Sequence, residues 1–280
     1  MILATALALG AALLHATWNL LLKSAPDGDR DLSSWGIFLV GGVLVLPFVI
    51  ALGGPGMVAA PWLAVSATIH IGYVAGLVAA YRHGDFSLAY PLARGSGAVA
   101  AAIGGAVVLG DRLPAPAWAA IAVVGGGLVA LVGRGVTGTT VRDALLTGLA
   151  IAAYTLADSH GARVSPNPVA YGLAATSAAA LSISLSFLLR GRGPDLWRTL
   201  PDHWRRWSLG GACTAVAYAM VMVATRHAEV GYVAMLRESS VVLGALIGWR
   251  LLKEPMGARR LAASGVVMAG LIGLVLARSI

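Results

Sequence analysis

The chain has 280 residues, 58% of them hydrophobic and 11% charged, with a mean hydropathy of +0.82. A soluble domain carries about 25% charged residues, so water is excluded as the main solvent. The net charge of +8 would point to nucleic acid in a soluble protein, but here the basic residues punctuate apolar runs and read as membrane topology, with no nucleic-acid partner. The single cysteine, Cys213, lies inside an apolar stretch and excludes both an intrachain disulfide framework and a cysteine metal site.

Spanning a bilayer takes about 20 apolar residues. Taken in order, the sequence predicts ten such helices near 2–22, 33–52, 61–81, 86–109, 115–133, 143–162, 168–189, 206–226, 230–252 and 259–277. The first is read as a retained helix: it lacks a basic leader and continues through His15, Trp18 and Asn19 into Lys23. Turn residues mark the breaks, among them Gly53-Gly54-Pro55-Gly56, Pro114 with Pro116, and Pro166 with Pro168. Between the seventh and eighth helices, residues 190–206 place Trp197, Trp204 and the adjoining Trp207 beside five arginines, the composition of a loop or a segment at the headgroup level.

Fourteen of the 20 Lys and Arg fall in loops after odd-numbered helices, four fall on the other side, and Arg94 and Arg237 lie within helices. By the positive-inside rule the odd loops are cytoplasmic and both termini face outward.

The stretches 81–134 and 225–278 align with a single one-residue gap. Arg82-His83 falls on Arg226-His227, Asp85 on Glu229, Arg94 on Arg237, Ser96 on Ser239, Asp111 on Glu254 and Gly127 on Gly270. The chain thus divides into a first five-helix repeat at 1–134 and a second at 142–278. An odd number of crossings makes the second enter from the opposite face, an arrangement that in secondary transporters places the substrate near the midplane between the halves.

With the apolar helix ending in Leu109-Gly110-Asp111-Arg112-Leu113 and its counterpart ending in Leu252-Lys253-Glu254-Pro255, each followed by a glycine-rich helix (118–133 and 261–277), the chain resembles the ten-helix, EamA-like family of the drug/metabolite transporter superfamily. Asp111 departs from the glutamate usual at that position. The resemblance implies an all-α membrane protein, with two inverted five-helix repeats around a central cavity. It also implies both termini in the cytoplasm, the reverse of the charge count.

Charged residues within membrane helices cost at least about 2.5 kcal/mol on insertion scales and are functional candidates by default. Arg94 and Arg237, related by the repeat, head the list: a guanidinium offers a fork of donors to carboxylate, phosphate or phosphonate. Ser96 and Ser239 follow two residues on in each half. Glu238, opposite Gly95 in the repeat, would bind a substrate amine, take a coupling proton or neutralise an arginine; a structural ion pair and an anion site both remain open. Asp158 aligns with Asn19, both near a helix end expected to be reached by water, with Tyr154 and Trp18 beside them as candidate cavity lining. His15 and His70 stand in apolar runs as interhelical hydrogen-bonding residues or proton carriers. The pairs Gly72 with Gly76 and Gly244 with Gly248 have the spacing of close helix crossings.

Arg94-Gly95-Ser96-Gly97 lacks the glycine two residues before serine that an intramembrane serine protease needs, and the sequence has no phosphate loop and no His-Glu-x-x-His pair. An enzyme is not expected, nor a metal or other cofactor. The expectation is a multi-pass secondary transporter of the inner (cytoplasmic) membrane, moving a small anionic or zwitterionic metabolite by alternating access, with proton coupling open and a monomeric or homodimeric state. The alternatives are export of apolar cationic drugs and, behind it, an intramembrane enzyme.

Overall fold

The computed structural model describes residues 2–26, 29–131, 137–225, 227–228, 230–253 and 258–277. These residues form eleven α-helices and no strand: α1 (Ile2–Lys23), α2 (Arg30–Ala51), α3 (Ala60–His83), α4 (Phe86–Val108), α5 (Ala115–Leu131), α6 (Gly138–Val164), α7 (Pro168–Leu189), α8 (Gly193–Ala224), α9 (Val230–Arg237), α10 (Ser239–Arg250) and α11 (Ala258–Leu276). In hydrocarbon each backbone N–H and C=O must be paired within the protein, and a helix pairs them within its own segment.

Six of the described helices are long and apolar enough to cross a membrane: α1 to α4, α7 and α8. α6 is long but carries Arg142, Asp143, Asp158 and Arg163, and the apolar stretches of α5 and α11, Ala115–Ala130 and Leu261–Gly270, are shorter.

Two helices depart from the expected pattern. The eighth begins at Gly193, since Pro194 at its first turn needs no N–H partner and Pro201 is carried inside the helix. Residues 193–206 are therefore a helical extension, with Trp197 and Trp204 outward and Trp207 buried. The ninth is interrupted at Glu238, which separates α9 from α10 and makes no side-chain cap bond.

Helices meet where side chains are small. The indole of Trp207 lies flat over Gly36, so that a Cβ there would come within 2.1 Å of the ring, and Gly41 faces Gly211 backbone to backbone. At the crossing of α5 and α11 the contacts are reciprocal. A Cβ on Gly127 would meet Val267 Cγ2 at 2.8 Å and Ala263 O at 3.2 Å; one on Gly270 would meet Val124 Cγ2 at 2.7 Å and Ala120 O at 3.0 Å. Gly76 packs on Thr147 and Gly244 on Tyr90, but Gly72 has open space around it and is not part of a close crossing. Gly248 lies outside the described side chains.

The loops sort onto two faces. Lys23 donates to the carbonyls of Tyr81 and Gly84, Arg30 to Ala25 O, Thr140 to His83 O, and Arg206 to Ser24 O, which gathers the connections after the first, third, fifth and seventh segments. Arg192 closes that face with ion pairs to Asp31 and Asp195. The other face is tied by Ser165 Oγ donating to Pro55 O, Asn167 to Leu52 O, and Arg163 to Asp111. Of the repeat pairs, Arg226, Glu229 and Glu254 lie outside the described residues.

Candidate functional site

The expected charges converge in the interior. Arg94 sits two turns into α4, and Arg237 and Glu238 sit at the break between α9 and α10, where α4, α9 and α10 pack on one another. Arg94 Nη2 donates to Glu238 Oε1 at 2.9 Å with side chains only 3% and 2% exposed. The carboxylate at 238 thus pairs with the arginine of the other half. Arg237 takes a different partner, its Nη2 donating to His15 Nε2 at 3.2 Å; His15 Nδ1 then faces Ala11 O at 3.3 Å, which fits a neutral imidazole.

Neither arginine is saturated. Among the described residues Arg94 Nε and Nη1, Arg237 Nε and Glu238 Oε2 have no hydrogen-bond partner although all are buried. Buried polar atoms are paired in the great majority of native structures, and four orphans in one cluster mark a place for a polar guest. Two small hollows adjoin them. One of about 10 Å³ is bordered by Arg94, Ile151, Thr155, Arg237 and Glu238; the other, of about 20 Å³, by Tyr154, Thr155, Asp158, Tyr218 and Arg237. A single water needs about 10–15 Å³, so each holds one water or little more, and the centre is closed in this conformation. Among the described residues no open central cavity of the kind implied by the family resemblance borders these charges. A larger cleft of about 100 Å³, between Asp31, Val74, Phe187 and Arg192, lies on the basic loop face away from the buried charges.

Asp158 forms a second polar centre on α6. Tyr218 Oη donates to its Oδ2 at 2.6 Å and Tyr171 Oη to its Oδ1 at 3.1 Å. It was expected to meet water near a helix end; instead it is 2% exposed, because tyrosines from α7 and α8 close over it. Asn19 is buried for the matching reason: Tyr81 Oη donates to its Oδ1, and its amide donates to His15 O at 2.8 Å. Trp18 packs edge-on against His15 and Phe38. His70 donates from Nδ1 to Ser66 O at 2.8 Å and lies against Tyr154 with ring centres 4.3 Å apart.

The structure therefore brings together Arg94, Glu238, Arg237 and His15, and beside them Asp158, Tyr154 and His70. It does not bring in Ser96, which packs against Gly148 and donates to Ala93 O, and Ser239 opens α10 half-buried with no hydrogen bond placing it in the cluster. Asn19, held by Tyr81, and Trp18 do not touch the arginines or Glu238 and adjoin the cluster only through His15. Sequence reasoning missed Tyr171, Tyr218 and Tyr73, the last stacked edge-on against Tyr154. Their only signal was a hydroxyl deep in an apolar run, the same signal that singled out His70.

An all-helical bundle with several spans long and apolar enough to cross a bilayer, and with buried charges at its centre, is a multi-pass membrane protein. Residues 143–276 match the model of the EamA-like transporter family, which is consistent with the resemblance to the drug/metabolite transporter superfamily. A solved crystal structure superposes with a TM-score of 0.72 over 98% of this chain and 98% of its own at 20% identity, which shows the fold. No curated protein matches.

Proposed function

We propose that the protein is a secondary transporter that moves a small anionic or zwitterionic metabolite, of the amino acid, organic acid or phosphonate kind, by alternating access. In this reading ten membrane segments form two inverted five-helix repeats, 1–134 and 142–278, with the ninth segment made of α9 and α10. Helix packing supports it. α3 packs on α6 as α8 does on α1, α4 on α6 as α9 and α10 do on α1, and α2 with α7, α4 with α10 and α5 with α11 each join a helix to its counterpart. The reciprocal Gly127 and Gly270 contacts and the sorting of loops onto two faces agree with the same pseudo-twofold axis.

The observation that carries the substrate class is the pair of buried arginines with unused donors, Arg94 Nε and Nη1 and Arg237 Nε, beside a single paired carboxylate. A carboxylate or phosphate arriving at that point meets a forked donor, and Glu238 Oε2 is left to accept from a substrate amine. An apolar cation would meet two guanidinium groups against one carboxylate, which disfavours the drug-export alternative. Because the hollows hold little more than water, the substrate enters only when the helices part on one face, which is the alternating-access step. The basic face, with Lys23, Arg30, Arg192 and Arg206, is assigned to the cytoplasm.

The test is thermal stabilisation of purified protein by a panel of anionic, zwitterionic and cationic metabolites, repeated on Arg94→Gln and Arg237→Gln. Stabilisation by anions or zwitterions, lost in both variants, is the expected result. Stabilisation by apolar cations that survives both substitutions would hand the site to drug export.

A further inference from the structure

We infer that Asp158 is a proton-binding site, loaded and discharged at the wall that it shares with the arginine site; the inference rests on the transporter reading and deepens it by naming the coupling ion. Asp158 and Glu238 are both carboxylates buried within the bundle, but their surroundings differ. Glu238 has a guanidinium at 2.9 Å. Asp158 has none: among the described residues no Lys or Arg pairs with it, and the hydrogen bonds to it come from neutral hydroxyls, those of Tyr171, Tyr218 and Ser66. An ionised carboxylate taken out of water without a cation is costly, and such a group binds a proton or a cation.

Every group that faces it is accounted for. α3 contributes His70 and Ser66, whose polar groups lie close enough to interact with the carboxylate, and Tyr73 stands behind Tyr154. α7 contributes Tyr171 and α8 contributes Tyr218. Tyr154 lies one turn earlier on α6 itself, while His160 turns away onto Trp62. Arg237 of α9 and Tyr154 line the same hollow, and Arg237 with Thr155 also lines the hollow at Arg94 and Glu238. The phenol hydroxyls point their hydrogens at the carboxylate, so their geometry suits a charge that comes and goes better than a metal ion, which needs several lone pairs directed at it. The hollow of about 20 Å³ beside Asp158 has room for the water that hands over the proton, and its wall includes Thr225 at the end of α8.

The repeat supplies an internal control. At the approximately matching place in the first half Asn19 accepts from Tyr81 of α3, a tyrosine of the same helix pairing as the Tyr218 of α8 that donates to Asp158 though two turns from its repeat position. A neutral amide thus suffices to tie these helices together, and the carboxyl at 158 is surplus to packing. When it takes a proton, an oxygen that only accepted becomes a donor. The protonated oxygen accepts less strongly from Tyr218 or Tyr171, which weakens the tie between α6 and the helices α7 and α8.

The experiment is infrared difference spectroscopy of the full-length protein in lipid, between about pH 5 and pH 9, the range in which buried carboxyls titrate. It compares wild type, Asp158→Asn, Glu238→Gln and Arg94→Gln. The expected result is a protonated-carboxyl C=O band that appears on acidification in wild type, persists in Glu238→Gln and Arg94→Gln, and is absent in Asp158→Asn. Tyr218→Phe, which keeps the carboxyl and the ring, should move the band to higher wavenumber and serves if Asp158→Asn fails to fold. A band kept in Asp158→Asn but lost in Glu238→Gln would transfer the proton to Glu238, and no titrating carboxyl band in wild type would overturn the inference outright. Failure of the anion-site reading has a different signature: metabolite stabilisation that ignores both arginines while the Asp158 band remains.

Discussion

Replacing Glu238 by glutamine isolates what the buried ion pair does for stability. Arg94 Nη2 and Glu238 Oε1 are 2.9 Å apart with side chains almost wholly buried, and Arg94 has no second acidic partner among the described residues. Removing the carboxylate leaves a guanidinium that stays protonated in a medium of low dielectric; breaking such a pair costs about 3–5 kcal/mol. Glutamine keeps a carbonyl acceptor within reach, so the lower end, about 3 kcal/mol, is expected. Arg94→Gln costs less, about 1–3 kcal/mol, because the stranded carboxyl can take up a proton and retain a hydrogen bond. The double variant carries two neutral amides that can bond each other, and neutral replacements of buried pairs are often harmless. With a double variant near neutral, reversible unfolding of the four proteins in mixed micelles at one pH should give a coupling energy of about 4–6 kcal/mol, above the range usual for contacting residues. A coupling below about 0.5 kcal/mol would refute the view that this pair locks α4 to the break between α9 and α10.

The close crossing of α5 and α11 predicts a contrast between neighbouring glycines. Gly127→Ala puts a Cβ 2.8 Å from Val267 Cγ2 and 3.0 Å from Val267 N and should cost about 1–3 kcal/mol, while Gly125→Ala, with open space around it, should be neutral or gain up to about 1 kcal/mol of helix propensity. Equal effects in the same unfolding assay would mean that the crossing is looser than described. Trp207→Ala removes a ring that fills the surface over Gly36 and should cost about 3–5 kcal/mol; a loss under about 1 kcal/mol would show that α2 and α8 close over the gap.

Much of the fold was legible because hydrocarbon imposes a simple rule on length and polarity. The segments expected at 2–22, 86–109 and 168–189 are found as Ile2–Lys23, Phe86–Val108 and Pro168–Leu189, each bounded by the Gly, Pro or charged residues that marked it in sequence. Two features were not legible. Pro194 and Pro201 read as loop punctuation, yet one sits at an N-terminus where its missing N–H is harmless and the other is absorbed within a long helix. Apolar character through 230–252 hid the interruption at Glu238, which is set by a tertiary contact with Arg94 and not by any local breaker. At the site the sequence could rank charged residues by the cost of burying them. Which arginine Glu238 would choose, and which tyrosines would close over Asp158, depends on how helices distant in sequence cross.

The distribution of acid across the repeat bears on mechanism. On the proposed repeat the scaffold is close to symmetric: helices matched by it pack alike, the two arginines share one region, and Gly127 and Gly270 exchange the same contacts. The carboxylates are not. Glu238 stands where the first half has Gly95, and Asp158 approximately where it has Asn19, so the two acids buried beside the arginines come from the second half. A symmetric site would offer a bound anion the same surroundings from either face. With Glu238 reaching across to Arg94, Arg237 resting on neutral His15, and Asp158 beside Arg237, the first-half arginine is in contact with an ionised partner and the second-half arginine is not, although Arg94 keeps two unused donors and Arg237 one. An incoming anion would thus engage Arg237 first and compete with Glu238 for Arg94 second. A proton on Asp158 would make the surroundings of Arg237 more positive and favour anion binding there, so proton and anion should bind with positive cooperativity and move together.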